Sequence, residues 1–85
     1  MKVVAKPIDM LALFDVAGQI HPIRFRLEED EQVVVKVDQV FSRSFEKKAG
    51  IPVYVFDCIS DIEGQRKTYQ LKYEIEDNKW ILFKI

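Results

Sequence analysis

Few residues in this chain have the chemistry of a nucleophile, a base or a metal ligand. One histidine, His21, stands in the context Ile-His-Pro-Ile, and one cysteine, Cys58, stands between Asp57 and Ile59. Nucleophilic catalysis needs an activated Ser, Cys or Thr beside a base. No G-x-S-x-G elbow is present. The carboxylate next to Cys58 raises its pKa instead of lowering it. Cys58 reads as buried filler and His21 as a strand or turn residue; only the fold could bring the two together. One His and one Cys cannot close a zinc site without carboxylates. Glu28, Glu29, Asp30 and Glu31 are consecutive and fan outward from a turn. Asp57, Asp61 and Glu63 make a better oxygen cluster but lack the spacing of a calcium loop. Gly18, Gly50 and Gly64 are far apart and mark turns, so no phosphate cradle is expected. The expectation is a protein without catalytic residues, cofactor or metal.

Basic residues interleaved with aromatics are the remaining chemical feature. Arg24 and Arg26 project from one face, opposite Phe25, and Lys36 on the next strand extends the row. Arg66, Lys67, Lys72 and the loop residues Arg43, Lys47 and Lys48 could add to it. Small β-rolls hold single-stranded nucleic acid with such a face plus exposed rings. Glu28, Asp38 and Glu74 fall on the same outer faces, so a mixed, solvated surface is the default. Weak nucleic-acid binding through Arg24, Arg26 and Lys36 is the alternative.

The elements that position these residues belong to one domain, since the chain has 85 residues. A domain of that size buries only about 60–65% of its unfolded surface, so its core is small. Thirteen basic against fourteen acidic side chains leave a formal charge of -1, which removes the usual electrostatic case for nucleic acid or a membrane surface. A single thiol builds no disulfide framework and points to a reducing cytoplasm. Lys6, Pro7 and Asp9 interrupt any signal-peptide core, and no apolar run approaches the ~18–20 residues of a membrane span.

Apolar residues repeat with period two, the mark of half-buried strands. Ile23, Phe25 and Leu27 alternate with Arg24, Arg26 and Glu28. Val33, Val35 and Val37 share a face. Tyr69, Leu71, Tyr73 and Ile75 alternate with Gln70, Lys72, Glu74 and Glu76. Turn signals at 17–18, 28–31, 50–52, 61–64 and 77–78 separate them. The expectation is an all-β fold with strands near 8–16, 20–28, 32–41, 52–59, 66–76 and 80–85. These form a strongly bent antiparallel meander of five or six strands, a roll or a small, partly open barrel. Its expected core is Phe25, Val35, Val37, Val55, Leu71, Tyr73 and Trp80. The stretch 43–49, with Ser44 as a cap and Gly50 after it, reads as a short helix or a structured loop.

The last run is apolar on both faces: Trp80 and Leu82 with Lys84 on one, Ile81, Phe83 and Ile85 on the other. Such a strand is normally covered on both sides, and an exposed edge of this kind invites aggregation. It is therefore expected to be a central or closing strand, with Trp80, Ile81, Phe83 and Ile85 as the alternative contact surface for a protein partner or a second copy.

Gly18-Gln-Ile-His-Pro-Ile-Arg-Phe25, together with Tyr69-Gln-Leu-Lys-Tyr73 and Trp80-Ile-Leu82, resembles a group of short, uncharacterised bacterial β-rich proteins. Their pattern is G-x-x-x-P-x-x-F, then Y-x-L-x-Y and W-x-L, and some are associated with lesion-bypass DNA polymerases. The resemblance implies the same fold and a bacterial, non-enzymatic accessory role, and carries no catalytic residues to transfer. The functional expectation is a non-catalytic protein-interaction or accessory module.

Overall fold

Among the described residues, seven antiparallel strands form a single curled sheet, a half-barrel wrapped around its own concave face. The structure, a computed structural model, describes residues 1–27 and 32–85. The strands are β1 (Val3–Phe14), β2 (Ile20–Leu27), β3 (Val34–Lys36), β4 (Gln39–Lys48), β5 (Ile51–Ile62), β6 (Gln65–Glu74) and β7 (Lys79–Lys84). Their order across the sheet is β3-β2-β1-β7-β6-β5-β4. The described residues contain no helix. The acidic run 28–31 lies outside the described residues.

The period-two residues turn inward as expected. Ile8, Phe25, Val35, Phe56, Leu71, Tyr73, Trp80 and Leu82 are buried in one concave cluster with Cys58 and Tyr69. Val37 packs against that cluster from a half-buried position. Val55 is buried too, but on the convex face, where it pairs with Lys72 and alternates with the core residue Phe56. Ile23 departs from the expected alternation. A bulge sets Leu11 opposite Arg24 but Ala12 opposite Pro22, and Ile23 is left exposed between them.

Two expectations fail at the middle of the chain. The run 32–41 is not one strand: it breaks at Val37-Asp38 into β3 and β4, which lie at opposite ends of the sheet. Asp38 holds this corner against β5. Its N–H donates to Ser60 Oγ at 3.2 Å, and its Oδ2 accepts the Asp61 N–H at 2.9 Å. The stretch 43–49 is neither helix nor loop; it is mostly strand β4. Ala49 and Gly50 both have positive φ (51° and 80°), the two-residue turn that matches strand twist. The turn closes Lys48 onto Ile51 and commits the preceding residues to β5.

The C-terminal strand is central. β7 pairs with β1 on one side and β6 on the other, and Lys2 and Ile85 exchange both backbone hydrogen bonds at 2.7 and 2.9 Å. Trp80 and Leu82 face the core, while Ile81 and Phe83 are half-buried on the convex face. Ile85, expected on that convex face, packs against the core cluster.

Candidate functional site

The sheet does not close. Its order leaves two strand edges facing each other: β2 before its pairing with β3 begins, and the whole length of β4. Among the described residues the Cα atoms of β2 and β4 stay more than 8 Å apart. Paired strands lie about 4.8 Å apart, so no direct ladder spans this gap.

One side chain crosses it. Arg43, on β4, donates through Nη1 to the Ile20 carbonyl of β2 and places Nη2 3.3 Å from His21 Nδ1. The guanidinium also lies 5.5 Å over the Phe56 ring. A guanidinium has only donors, so His21 Nδ1 accepts and the ring proton sits on Nε2. That proton is donated to Asp15 Oδ2 at 2.9 Å. Asp15 in turn builds the β1–β2 turn. Its Oδ1 accepts the N–H of Ala17 at 3.0 Å and of Gln19 at 2.9 Å, and its carbonyl accepts the N–H of Gly18 at 2.8 Å. Gly18 has φ +84°, which only glycine adopts without cost. The His21 hydrogen bond, followed by the Gln19 amide, holds the Asp15 carboxyl below the usual carboxylate range. The network is structural: it fixes His21 in one tautomer and occupies both ring nitrogens.

Above Arg43 runs an aromatic row. Phe45, Tyr54, Tyr73 and Trp80 are successive register partners across β4, β5, β6 and β7. Trp80 and Tyr73 are buried, their rings 4.9 Å apart. Phe45 and Tyr54 remain exposed, at 55% and 40%, with rings 5.6 Å apart in an edge-to-face contact. Phe14 packs on Tyr73 from β1. A slot of about 320 Å³ opens here, lined by Gly18, Gln19, Ile20, Arg43, Ser44, Phe45 and Tyr54.

The hydrogen-bonding phase of β4 follows from its turn. In a two-residue hairpin the closing pair exchanges hydrogen bonds, and bonded and non-bonded pairs then alternate. Lys48–Ile51, Glu46–Val53 and Ser44–Val55 are the bonded pairs. Lys47–Pro52, Phe45–Tyr54 and Arg43–Phe56 are not; Pro52, lacking an N–H, turns that position toward β6 beyond the end of the β5–β6 ladder at Val53–Glu74. The N–H and C=O groups of Arg43, Phe45 and Lys47 therefore point at the gap.

The sequence-predicted residues lie elsewhere. Arg24 and Lys36 are register partners on the convex face, with Leu11 on the far side of Arg24. Neither has an ion pair among the described residues. Arg26 is held by Asp9, its Nη2 and Nε 2.8 and 3.2 Å from Oδ2. Arg66 is paired with Asp38 and Asp61. Lys72 bridges to Glu46 at 3.6 Å and caps the Phe83 ring. The wider basic row is thus split among strands, and Arg26, Arg66 and Lys72 within it are ion-paired. Trp80 belongs to the core, and mid-sheet β7 has no open edge.

Cys58 is buried to 0% exposure, and burial followed by the charge of Asp57 pushes its thiol up to about 12. Its Sγ contacts the Phe56 carbonyl at 3.7 Å, while His21 is engaged with Asp15 and Arg43. Asp57 accepts from Gln70, and Asp61 pairs with Arg66. No group of three metal-ligating side chains converges among the described residues. Comparison with protein-family models, curated proteins and solved structures returns no match to this chain.

Arg43, Phe45 and Tyr54 were not singled out by the sequence reasoning as one site. The signal lay in Ala49-Gly50 as a two-residue turn, which converts the residues before it into an edge strand.

Proposed function

We propose that this protein is a non-catalytic interaction module that receives an extended segment of another protein along β4. One observation carries the reading. β4 is ten residues long, its outer edge has no backbone partner among the described residues, and a gap wider than 8 Å separates it from the next strand. An unpaired edge of that length is a template for strand addition. Main-chain hydrogen bonds to Arg43, Phe45 and Lys47 would supply affinity, and the exposed Phe45 and Tyr54 rings would supply contact area.

Selection of random displayed peptides on the folded chain tests this. Enriched peptides are expected to slow amide exchange at Arg43, Phe45 and Lys47 and to leave Arg24 and Lys36 unchanged. Enrichment of peptides that protect only the convex face of β1–β3, or no enrichment, would remove the reading.

The unpaired neighbours Arg24 and Lys36, on a face shared with exposed Leu11 and Val34, support a second reading, weak nucleic-acid binding. Anisotropy of labelled single-stranded and duplex DNA at about 50 and about 200 mM salt tests it. Two phosphate contacts predict a salt slope no steeper than about -2. No binding at low salt sets the reading aside.

A further inference from the structure

We infer that the segment taken by β4 is acidic, with the pattern acid-x-apolar-x-acid along one face. The inference rests on the strand-addition reading above and adds the chemistry of the occupant.

Residues directly opposite each other in an antiparallel pair present their side chains on the same face. A strand added along β4 hydrogen-bonds at Arg43, Phe45 and Lys47, so its three alternate residues lie opposite these side chains. Two of the three are cationic and the middle one is aromatic. Lys48, at the hairpin end, lies on the other face of β4, and neither Lys47 nor Lys48 has an ion pair among the described residues. The strand's own acid, Glu46, is already bridged to Lys72 at 3.6 Å. Across the gap, Asp15 is engaged with His21. Among the described residues the rim therefore offers positive charge with no ion pair at Arg43 or Lys47, and like charges directly opposite are destabilising. A basic segment is disfavoured and an acidic one is favoured at both ends of the triplet.

The same pattern argues against a second copy as the occupant. A two-fold pairing of β4 with itself, centred on Arg43, sets Arg43 against Arg43. Centred on Phe45, it sets Arg43 against Lys47 twice. Centred on Ser44, it avoids like charges but sets Arg43 and Lys47 against phenylalanine, with no carboxylate for either.

The Cα gap between β2 and β4 exceeds 8 Å. Inserting a strand between two others requires about twice the 4.8 Å interstrand spacing. Arg43 is the plug: turned from the Ile20 carbonyl onto a partner carboxylate, it exchanges a neutral acceptor for a charged one, and the freed carbonyl can accept an N–H of the inserted strand.

The test uses the full chain and three fluorescein-labelled nonapeptides. One has a Glu-Thr-Val-Thr-Glu core, one a Lys-Thr-Val-Thr-Lys core, and the third is the acidic peptide N-methylated at Val and at both Glu residues, the amides that face β4. Anisotropy gives affinity, and amide chemical shifts give the location. The acidic peptide is expected to bind and to shift Arg43, Phe45 and Lys47; the basic and N-methylated peptides are expected to bind at least tenfold more weakly. Lys47→Glu, an exposed change beside the turn, is expected to weaken the acidic peptide about fivefold and to strengthen the basic one. Equal binding of acidic and basic peptides at these amides overturns the charge inference and leaves strand addition standing. If no peptide moves these amides, both fall. Self-association of the free chain with these three amides protected overturns the inference in favour of a second copy.

Discussion

Replacing Ser60 by alanine is the most informative single change in this fold. Ser60 and Tyr69 are both buried to 0% exposure, and their oxygens lie 2.5 Å apart. Ser60 Oγ also accepts the Asp38 N–H, the bond that turns β3 into β4. Ser60→Ala therefore strands a phenol in the core and frees an amide at the corner. The amide lies at a part-buried position and can find water. The phenol cannot, and an orphaned buried hydroxyl costs about 1–3 kcal/mol. The expected loss is about 2–3 kcal/mol, with the amide adding the upper part of that range. Tyr69→Phe removes the hydroxyl itself and leaves Ser60 still bonded to Asp38, so about 1 kcal/mol is expected. The double change should cost less than the sum by about 1 kcal/mol, because no phenol is left to strand. Urea unfolding followed by circular dichroism measures all four corners of the cycle. In thermal terms each 1 kcal/mol is about 4–8 °C for a domain of this size. Additivity within about 0.4 kcal/mol, or a Ser60→Ala loss below 0.5 kcal/mol (about the size of a surface substitution), would refute the argument that this pair is a sealed polar contact.

Other consequences are open to measurement. Leu71 is fully buried on β6, in the interior of the sheet; Leu71→Ala should cost about 2–5 kcal/mol, and a thermal midpoint that barely moves would contradict its inward placement. Burial raises Cys58 and Tyr69 each to about 12. Raised values favour the protonated forms, so the stability they contribute is complete below their ordinary values of about 8.5 and 10 and is lost as pH climbs toward 12. Alkaline titration of unfolding, with Cys58 labelling as a second readout, should show this. Asp15 runs the other way. Its lowered pKa means its contribution is complete above about 3.9 and disappears as pH falls through the depressed value, which a carboxyl NMR titration would locate. Glu63 holds φ 50° at the β5–β6 turn beside Gly64; Glu63→Asn, better suited to that backbone, should raise stability by about 0.5–1 kcal/mol.

The strands legible in the sequence were those with one wet face. Phe25 against Arg24 and Arg26, and Leu71 against Lys72, announce their orientation because burial on one side imposes period two. The two-sided apolar run at 80–85 likewise announced a central strand. β4 was illegible for the opposite reason. Its side chains have little to bury: Phe41 and Phe45 are exposed, and Ser42, Arg43, Ser44 and Lys47 all lie at the surface. A strand pinned only by its turn and one neighbour leaves no periodic trace, so Ser44 reads as a helix cap. The break at Asp38 was hidden because its cause, Ser60, is distant in sequence. The candidate site combines these two blind spots, since it is made of an edge strand and a long-range Arg43–Ile20 contact.

The position of β7 bears on how the chain folds. The strands β1, β2 and β3 form one antiparallel set and β4, β5 and β6 another, each assembled from neighbours in sequence. Nothing in the sheet ladder joins the two sets until Lys79–Lys84 slots between β1 and β6. β7, the last of these strands in sequence order, completes the ladder by pairing with both sets. The pairing of Ile8 with Trp80 closes nearly the whole chain into a loop, and such distant contacts place folding on the ms–s scale instead of the μs scale. β7 is thus the keystone of assembly, and the interval before it seats is when the half-sheets are most exposed to aggregation.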